Sequence, residues 1–225
     1  MDIRFLGHSC FELRDGDTSV LIDPFLSENP KAAAGPDEFD PTTILLTHGH
    51  FDHIGDTVDI AKRAGAPVVA IFELANEIAE DDVEIFDPNL GGTVKFDWGW
   101  VKLVPAWHTA VSPKGTAHMP AGLIIEFAGT TVYHLGDTAL FSDLALAAQR
   151  GNRIDVALMC IGGHYTMDRI DAVAAAELVK ARTIIPCHYD TFPPIETDAE
   201  AFKSQVESDT DSEVVVLAPG ETHSV

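Results

Sequence analysis

At 225 residues the chain can bury one substantial core, and 46% hydrophobic against 22% charged residues suits a folded protein and is too apolar for a disordered one. Its 14 Lys and Arg face 36 Asp and Glu, a formal net charge of −22 that repels phosphate backbones and anionic bilayers, so nucleic acid and membrane are set aside as partners. The 3 cysteines, Cys10, Cys160 and Cys187, are widely spaced and form no CxxC pair or disulfide framework.

The N-terminus lacks a basic region followed by an apolar stretch, and no run approaches the ~18 apolar residues of a spanning helix, so a cytoplasmic protein is expected. The acidic surface serves solubility; adaptation to high salt stays open. One domain covering residues 1–225 is expected.

In chain order, Ile3 to Leu6, Cys10 to Leu13 and Ser19 to Ile22 are short apolar or alternating runs separated by Gly7-His8-Ser9 and Asp15-Gly16-Asp17, which predicts a three-stranded antiparallel meander. A loop rich in Pro, Ala, Gly and Asp runs from Ser27 to Pro41. Thr43 to Thr47 reads as a buried strand leading directly into His48-Gly49-His50-Phe51-Asp52-His53. A helix from Asp56 to Ala64, stopped by Gly65-Ala66-Pro67, precedes a strand at Val68 to Ile71 and a second helix at Glu73 to Glu80.

Strands are then expected at Val83 to Phe86, Thr93 to Phe96, Val101 to Pro105, Leu123 to Phe127 and Thr131 to His134. Helices at Phe141 to Gln149, Arg169 to Lys180 and Ala199 to Glu207 alternate with strands at Val156 to Met159, Thr183 to Ile185 and Val214 to Leu217. Two β-rich blocks, each followed by helices, imply two sheets packed face to face with helices outside, an α/β sandwich.

The chemistry concentrates in the segment from His48 to His53. His48 and His50, two apart in extended chain, point the same way, while Asp52 and His53 at a helix start address a neighbouring point, so one segment can feed two metal positions. Further donors follow other predicted strands: His108 after Pro105, Asp137 within Gly136-Asp137-Thr138, and His188 after Pro186. Five histidines and two carboxylates make a donor set for two borderline cations bridged by a carboxylate.

With these residues in place, the chain resembles the metallo-β-lactamase superfamily, whose signature is a His-x-His-x-Asp-His segment followed by a distant His, an Asp and a last His. Within it the chain is similar to the UlaG-like metal-dependent hydrolases, through Gly7-His8-Ser9, Ile22-Asp23-Pro24-Phe25, Met119-Pro120-Ala121-Gly122, His134-Leu135-Gly136-Asp137-Thr138 and Pro186-Cys187-His188-Tyr189-Asp190-Thr191-Phe192-Pro193. The resemblance implies a four-layer αββα sandwich. It also implies that His48, His50 and His108 hold one metal, that Asp52, His53 and His188 hold the other, and that Asp137 bridges them.

Asp23, by the same resemblance, orients a ligand histidine; otherwise it is a turn Asp before Pro24. Where the group carries Asp-Asn after Pro-Ile-Gly, this chain reads Cys160-Ile161-Gly162-Gly163-His164, so its pocket differs there. His164 is a candidate for substrate contact or a loop histidine facing water, and His8 a candidate for the pocket. His118 reads as a loop histidine, His134 as a packed, hydrogen-bonded one, and Cys187 as a small buried residue.

The expected activity is hydrolysis of a small ester, lactone, amide or phosphodiester by a hydroxide that two metals activate, with Asp52 holding the nucleophile and taking its proton. Zinc is the first expectation for both metals, with manganese, iron, cobalt or nickel open. A di-iron redox protein of the same fold and a non-catalytic metal-binding protein are the alternatives. The expected partner is a small-molecule substrate, and homo-oligomers are open.

Overall fold

The expected meander forms from β1 (Asp2–Gly7), β2 (Cys10–Asp15) and β3 (Thr18–Ile22), paired antiparallel in sequence. The computed structural model describes residues 1–149 and 153–225. From β3 the pairing turns parallel through β4 (Thr43–Leu45), β5 (Val68–Val69) and β6 (Ile85–Phe86), with α1 (Phe51–Ile54), α2 (Thr57–Ala64) and α3 (Phe72–Ala79) between them. Gly65, in the left-handed region that glycine adopts without cost, ends α2 as its sequence suggests.

The second sheet begins with the antiparallel run β7 (Thr93–Phe96), β8 (Gly99–Pro105), β9 (Ala121–Phe127) and β10 (Thr130–His134). It continues in parallel with β11 (Val156–Cys160), β12 (Thr183–Cys187) and β13 (Glu213–Val214), interleaved with α4 (Leu144–Gln149), α5 (Arg169–Val179) and α6 (Ala199–Asp209). Asp168 and Asp198 cap α5 and α6, accepting backbone N–H bonds from Ile170 and Asp171 and from Ala201 respectively.

A last strand, β14 (Thr222–Ser224), returns to pair with β1, giving two seven-stranded sheets among the described residues. This strand was not expected, because Thr222, His223 and Ser224 carry no apolar alternation and are held by backbone pairing to an edge. The strand expected at Val214 to Leu217 is shorter and lies at Glu213–Val214.

Side-chain alternation explains the layering. In β10, β11 and β12, Val132, Val156, Leu158 and Ile185 join one core with β2 to β5, whereas Tyr133, Ala157, Met159 and Ile184 join a second core with Ala172, Val179, Phe202 and Val206 of α5 and α6. On the opposite side Ile60 of α2 and Leu74 and Ile78 of α3 cover the first sheet. The result is an α/β sandwich with helices on both outer faces, and no helix among the described residues is long and apolar enough to cross a membrane.

Candidate metal centre

The C-terminal ends of β3, β4, β8, β10 and β12 supply Asp23, His48, His108, Asp137 and His188 from the connections that follow them. Beyond β4, Thr47 is locked by Asp23, whose carboxylate accepts the Thr47 N–H at 2.8 Å and its hydroxyl at 2.6 Å. The same carboxylate accepts His53 Nδ1–H at 2.8 Å, and His48 Nδ1–H reaches the Thr47 hydroxyl at 3.0 Å. With both Nδ1 atoms engaged in this network, His48 and His53 turn Nε2 toward the same space.

The second sheet contributes through a turn fixed by His134, which donates Nε2–H to the Ser9 carbonyl at 3.1 Å and accepts the Gly136 N–H at 3.0 Å. It is therefore the packed, bonded histidine that its strand-end position suggests. Gly136 has φ +66, and a Cβ there would lie 2.6 Å from the Ala121 carbonyl of the neighbouring strand β9 and 3.3 Å from Thr47, beyond β4 of the other sheet, so glycine is required where the chain turns toward Asp137. The Trp107 N–H donates to the Thr138 hydroxyl at 3.0 Å and the Ala139 N–H to the Trp107 carbonyl at 3.0 Å, drawing His108 beside Asp137. His188, at φ +54, donates its backbone N–H to the His8 carbonyl at 2.7 Å.

The convergence is close. Asp137 Oδ1 lies 3.3 Å from His53 Nε2, and Oδ2 lies 3.0 Å from His188 Nε2, 3.7 Å from His108 Nε2 and 4.0 Å from His48 Nε2. His48 Nε2 and His50 Nδ1 are 3.0 Å apart. Donor atoms of His48, His50 and His108 fall within 4.8 Å of one another, as do those of His8, Asp52, His53 and His188, and those of His48, His53 and Asp137. All seven donors named from the sequence thus border one space, and His8 joins them.

Whether these residues suit a cation can be judged from their unmet bonds. His53 Nε2, Asp137 Oδ1 and both ring nitrogens of His188 are buried without a hydrogen-bond partner, a costly state unless a cation satisfies them. Burial pushes the imidazoles of His48, His50 and His108 below their ordinary range, toward the neutral form that ligates metal. Burial would raise Asp137, but His188 and His53 hold its carboxyl well below the usual range. Burial likewise opposes ionisation of Asp52, which a hydrogen bond from His8 overcomes. His53 moves upward against its burial because Asp137 and Asp23 flank it, so the arrangement calls for positive charge between those carboxylates. The neutral imidazoles of His48, His50 and His108, with ionised carboxylates beside them, fit a borderline divalent cation.

His8 is buried at φ +59 in the β1–β2 tip; it donates Nε2–H to Asp52 at 3.1 Å and accepts the Thr191 hydroxyl at Nδ1, 2.9 Å away. Burial, then His188, lowers its imidazole to about 4, so it stays neutral. His164 is exposed, with its ring edge against Tyr165, and it is Tyr165 that lines the cavity over the donors. Cys187 is buried and its thiol pushed well upward by that burial.

His118 has a part that its sequence position did not reveal. It accepts the Gly49 N–H at Nε2, 2.9 Å away, and donates Nδ1–H to the Thr116 carbonyl at 3.0 Å, fixing the peptide between His48 and His50. A Cβ on Gly49 would meet Leu74 at 2.7 Å and His118 at 2.9 Å, which accounts for glycine there; nothing local to His118 announces the contact.

Above the donors opens a cavity of about 560 Å³, whose lining includes His50, Asp52, His108, Asp137 and His188. A larger groove of about 1050 Å³ lies beyond His8 and is lined by Asp190, Glu196, Asp198, Glu200 and Glu221. The smaller cavity is where the convergent donors sit, and chemistry outweighs size in choosing between them.

Residues 2–188 match the family model described as beta-lactamase superfamily domain. The chain is 46% identical to a UPF0173 metal-dependent hydrolase of Thermus thermophilus, with 98% of this chain and 97% of that protein covered. It is 48% identical to a UPF0173 metal-dependent hydrolase of Pyrococcus furiosus, with 98% and 97% covered. Among solved structures it is similar to Igni18, a metallo hydrolase from the hyperthermophilic archaeon Ignicoccus hospitalis, at TM-score 0.90 and 35% identity over 99% of this chain and 97% of that one.

Proposed function

Because the chain belongs to the beta-lactamase superfamily and, within it, to the UPF0173 metal-dependent hydrolases, we propose that it hydrolyses a small ester, lactone, amide or phosphodiester at a dinuclear metal centre. His48, His50 and His108 would hold one cation and Asp52, His53 and His188 the other, with Asp137 between the two sets. The observation that carries this reading is that the one Asp137 carboxylate lies within 4.0 Å of histidines from both sets, His53 and His188 of one and His108 and His48 of the other. Bound there, such cations would supply Lewis acidity, lowering the pKa of a water toward neutrality and polarising the substrate oxygen.

The chain's own residues do the rest. Asp23 and Thr47 hold His48 and His53 in the tautomers that present Nε2. Asp52, kept ionised by His8, reaches the cavity and takes the proton of the attacking water. His8 reads as a positioning residue for Asp52 rather than a substrate contact, because its ring is buried and both nitrogens are engaged. We read residues 1–225 as one hydrolase domain, and three free, buried cysteines favour a reducing compartment such as the cytoplasm.

Metal quantification on the purified protein tests the centre. Close to two equivalents of zinc or another divalent metal are expected, and His48→Ala and Asp137→Ala should each lose metal and reduce turnover at least about 1000-fold. Full turnover in a metal-free Asp137→Ala protein would refute the assignment.

A further inference from the structure

The cavity's walls differ in character from its floor. Around the donors stand Phe51, Phe192, Pro194, Tyr165 and Thr109, and the charged carboxylates of the lining are Asp52 and Asp137, which belong to the donor set. No lysine or arginine among the described residues lines it. A site selecting a phosphate ester ordinarily surrounds the anion with Arg, Lys or backbone N–H groups beyond any metal. Here the non-metal part of a substrate meets aromatic rings and two hydroxyls, on a chain of net charge −22.

The aromatic wall is built rather than incidental. Phe51 sits between His50 and Asp52, so the segment that carries donors also carries the wall. Phe25, wholly buried, braces it: its ring is 5.8 Å from Phe51 at 87° and 6.5 Å from Phe192. Opposite, the loop bearing Tyr165 is pinned by the Met167 N–H to the Thr138 carbonyl at 3.0 Å, next to Asp137. Yet Phe51 is 55% exposed and Tyr165 54% exposed, so two held aromatic surfaces face water at the mouth. A ligand with an apolar group removes that surface from water, a favourable term that a ligand without one lacks.

Resting on the hydrolase reading above, we infer that the substrate is an uncharged carboxylic ester bearing an aryl or alkyl group, and that Phe51, Phe192 and Tyr165 determine specificity by seating that group. In the reaction the oxygen of one water bonds to the acyl carbon and the acyl C–O bond breaks. The departing oxygen takes one proton of the water to become an alcohol, and the acid formed releases the other. No oxidant, reductant or further reactant is required.

The test uses the protein loaded with the metal that quantification identifies. With p-nitrophenyl acetate, butyrate and hexanoate, kcat/KM should rise about fourfold per added methylene. All three should exceed bis(p-nitrophenyl) phosphate, and Phe51→Ala and Phe192→Ala should each flatten the gradient by half or more. In parallel, calorimetry on the same protein should detect binding of 4-phenylbutan-1-ol with a negative heat-capacity change, about tenfold weaker in Phe51→Ala. A flat acyl gradient, or preference for the phosphodiester, would overturn the substrate class and leave the hydrolase reading standing. Binding of the alcohol with no turnover of any substrate would overturn the hydrolytic reading and support an apolar pocket. Failure of both arms overturns both.

Discussion

Asp23 touches no open space, yet it orders the centre: two bonds fix Thr47, which in turn holds His48, and a third fixes His53 directly. Its own backbone sits at φ +44, a conformation disfavoured outside glycine, so the local geometry is tolerated for the bonds it makes possible. His8 at φ +59 stands in the same relation to Asp52. Asp23→Asn, Thr47→Val and His8→Gln should therefore each weaken metal affinity about 10- to 100-fold while the protein stays folded, measured by competition with a chromophoric chelator alongside circular dichroism. Unchanged affinity in Asp23→Asn would make that carboxylate a turn residue only.

Elements bring these residues together by ending at a common edge. The parallel strands β3 and β4 of one sheet and β10 to β12 of the other all release their chain toward the donors, while the β1–β2 tip folds back over them with His8. At Gly136 the chain packs against the Ala121 carbonyl of the neighbouring strand, and the Ala121 N–H in turn reaches the Thr47 carbonyl, beyond β4 of the other sheet, at 2.9 Å. Gly129, in the β9–β10 turn at φ +77, has the same left-handed freedom but nothing within 4 Å of a Cβ. Gly129→Ala should then cost about 1 kcal/mol from backbone strain alone, whereas Gly136→Ala should cost on the order of 2–4 kcal/mol and impair metal loading as Asp137 shifts. Equal denaturation midpoints for the two variants would contradict the close approach.

For the whole molecule, the balance of 36 acidic against 14 basic residues leaves long-range repulsion that the ion pairs among the described residues relieve only locally. Screening this repulsion should raise the melting temperature by a few °C between about 0.05 M and about 0.5 M sodium chloride, since the Debye length falls from above 10 Å to a few Å over that range. A melting temperature that falls with salt would assign more stability to the exposed pairs than to relief of net charge.

Much of the architecture was legible because buried strands and amphipathic helices write their environment at periods of two and 3.6 residues. The strands from Ile3 to Ile22 and the helices after His53 and after Asp168 and Asp198 follow from that writing and their caps. The edge strand at Thr222–Ser224 does not, because backbone pairing leaves no mark on polar side chains.

Within the site, the residue types and the segment from His48 to His53 declare metal chemistry, since imidazoles and a carboxylate at that spacing share few other uses. The sequence alone determined the kinds of donor and the strands that carry them. Tertiary structure decided that His118 holds Gly49, that His8 turns inward to Asp52, that Tyr165 rather than His164 borders the cavity, and that its wall is aromatic. These contacts join residues tens to more than a hundred positions apart, and local periodicity carries no information about which distant strand ends will meet.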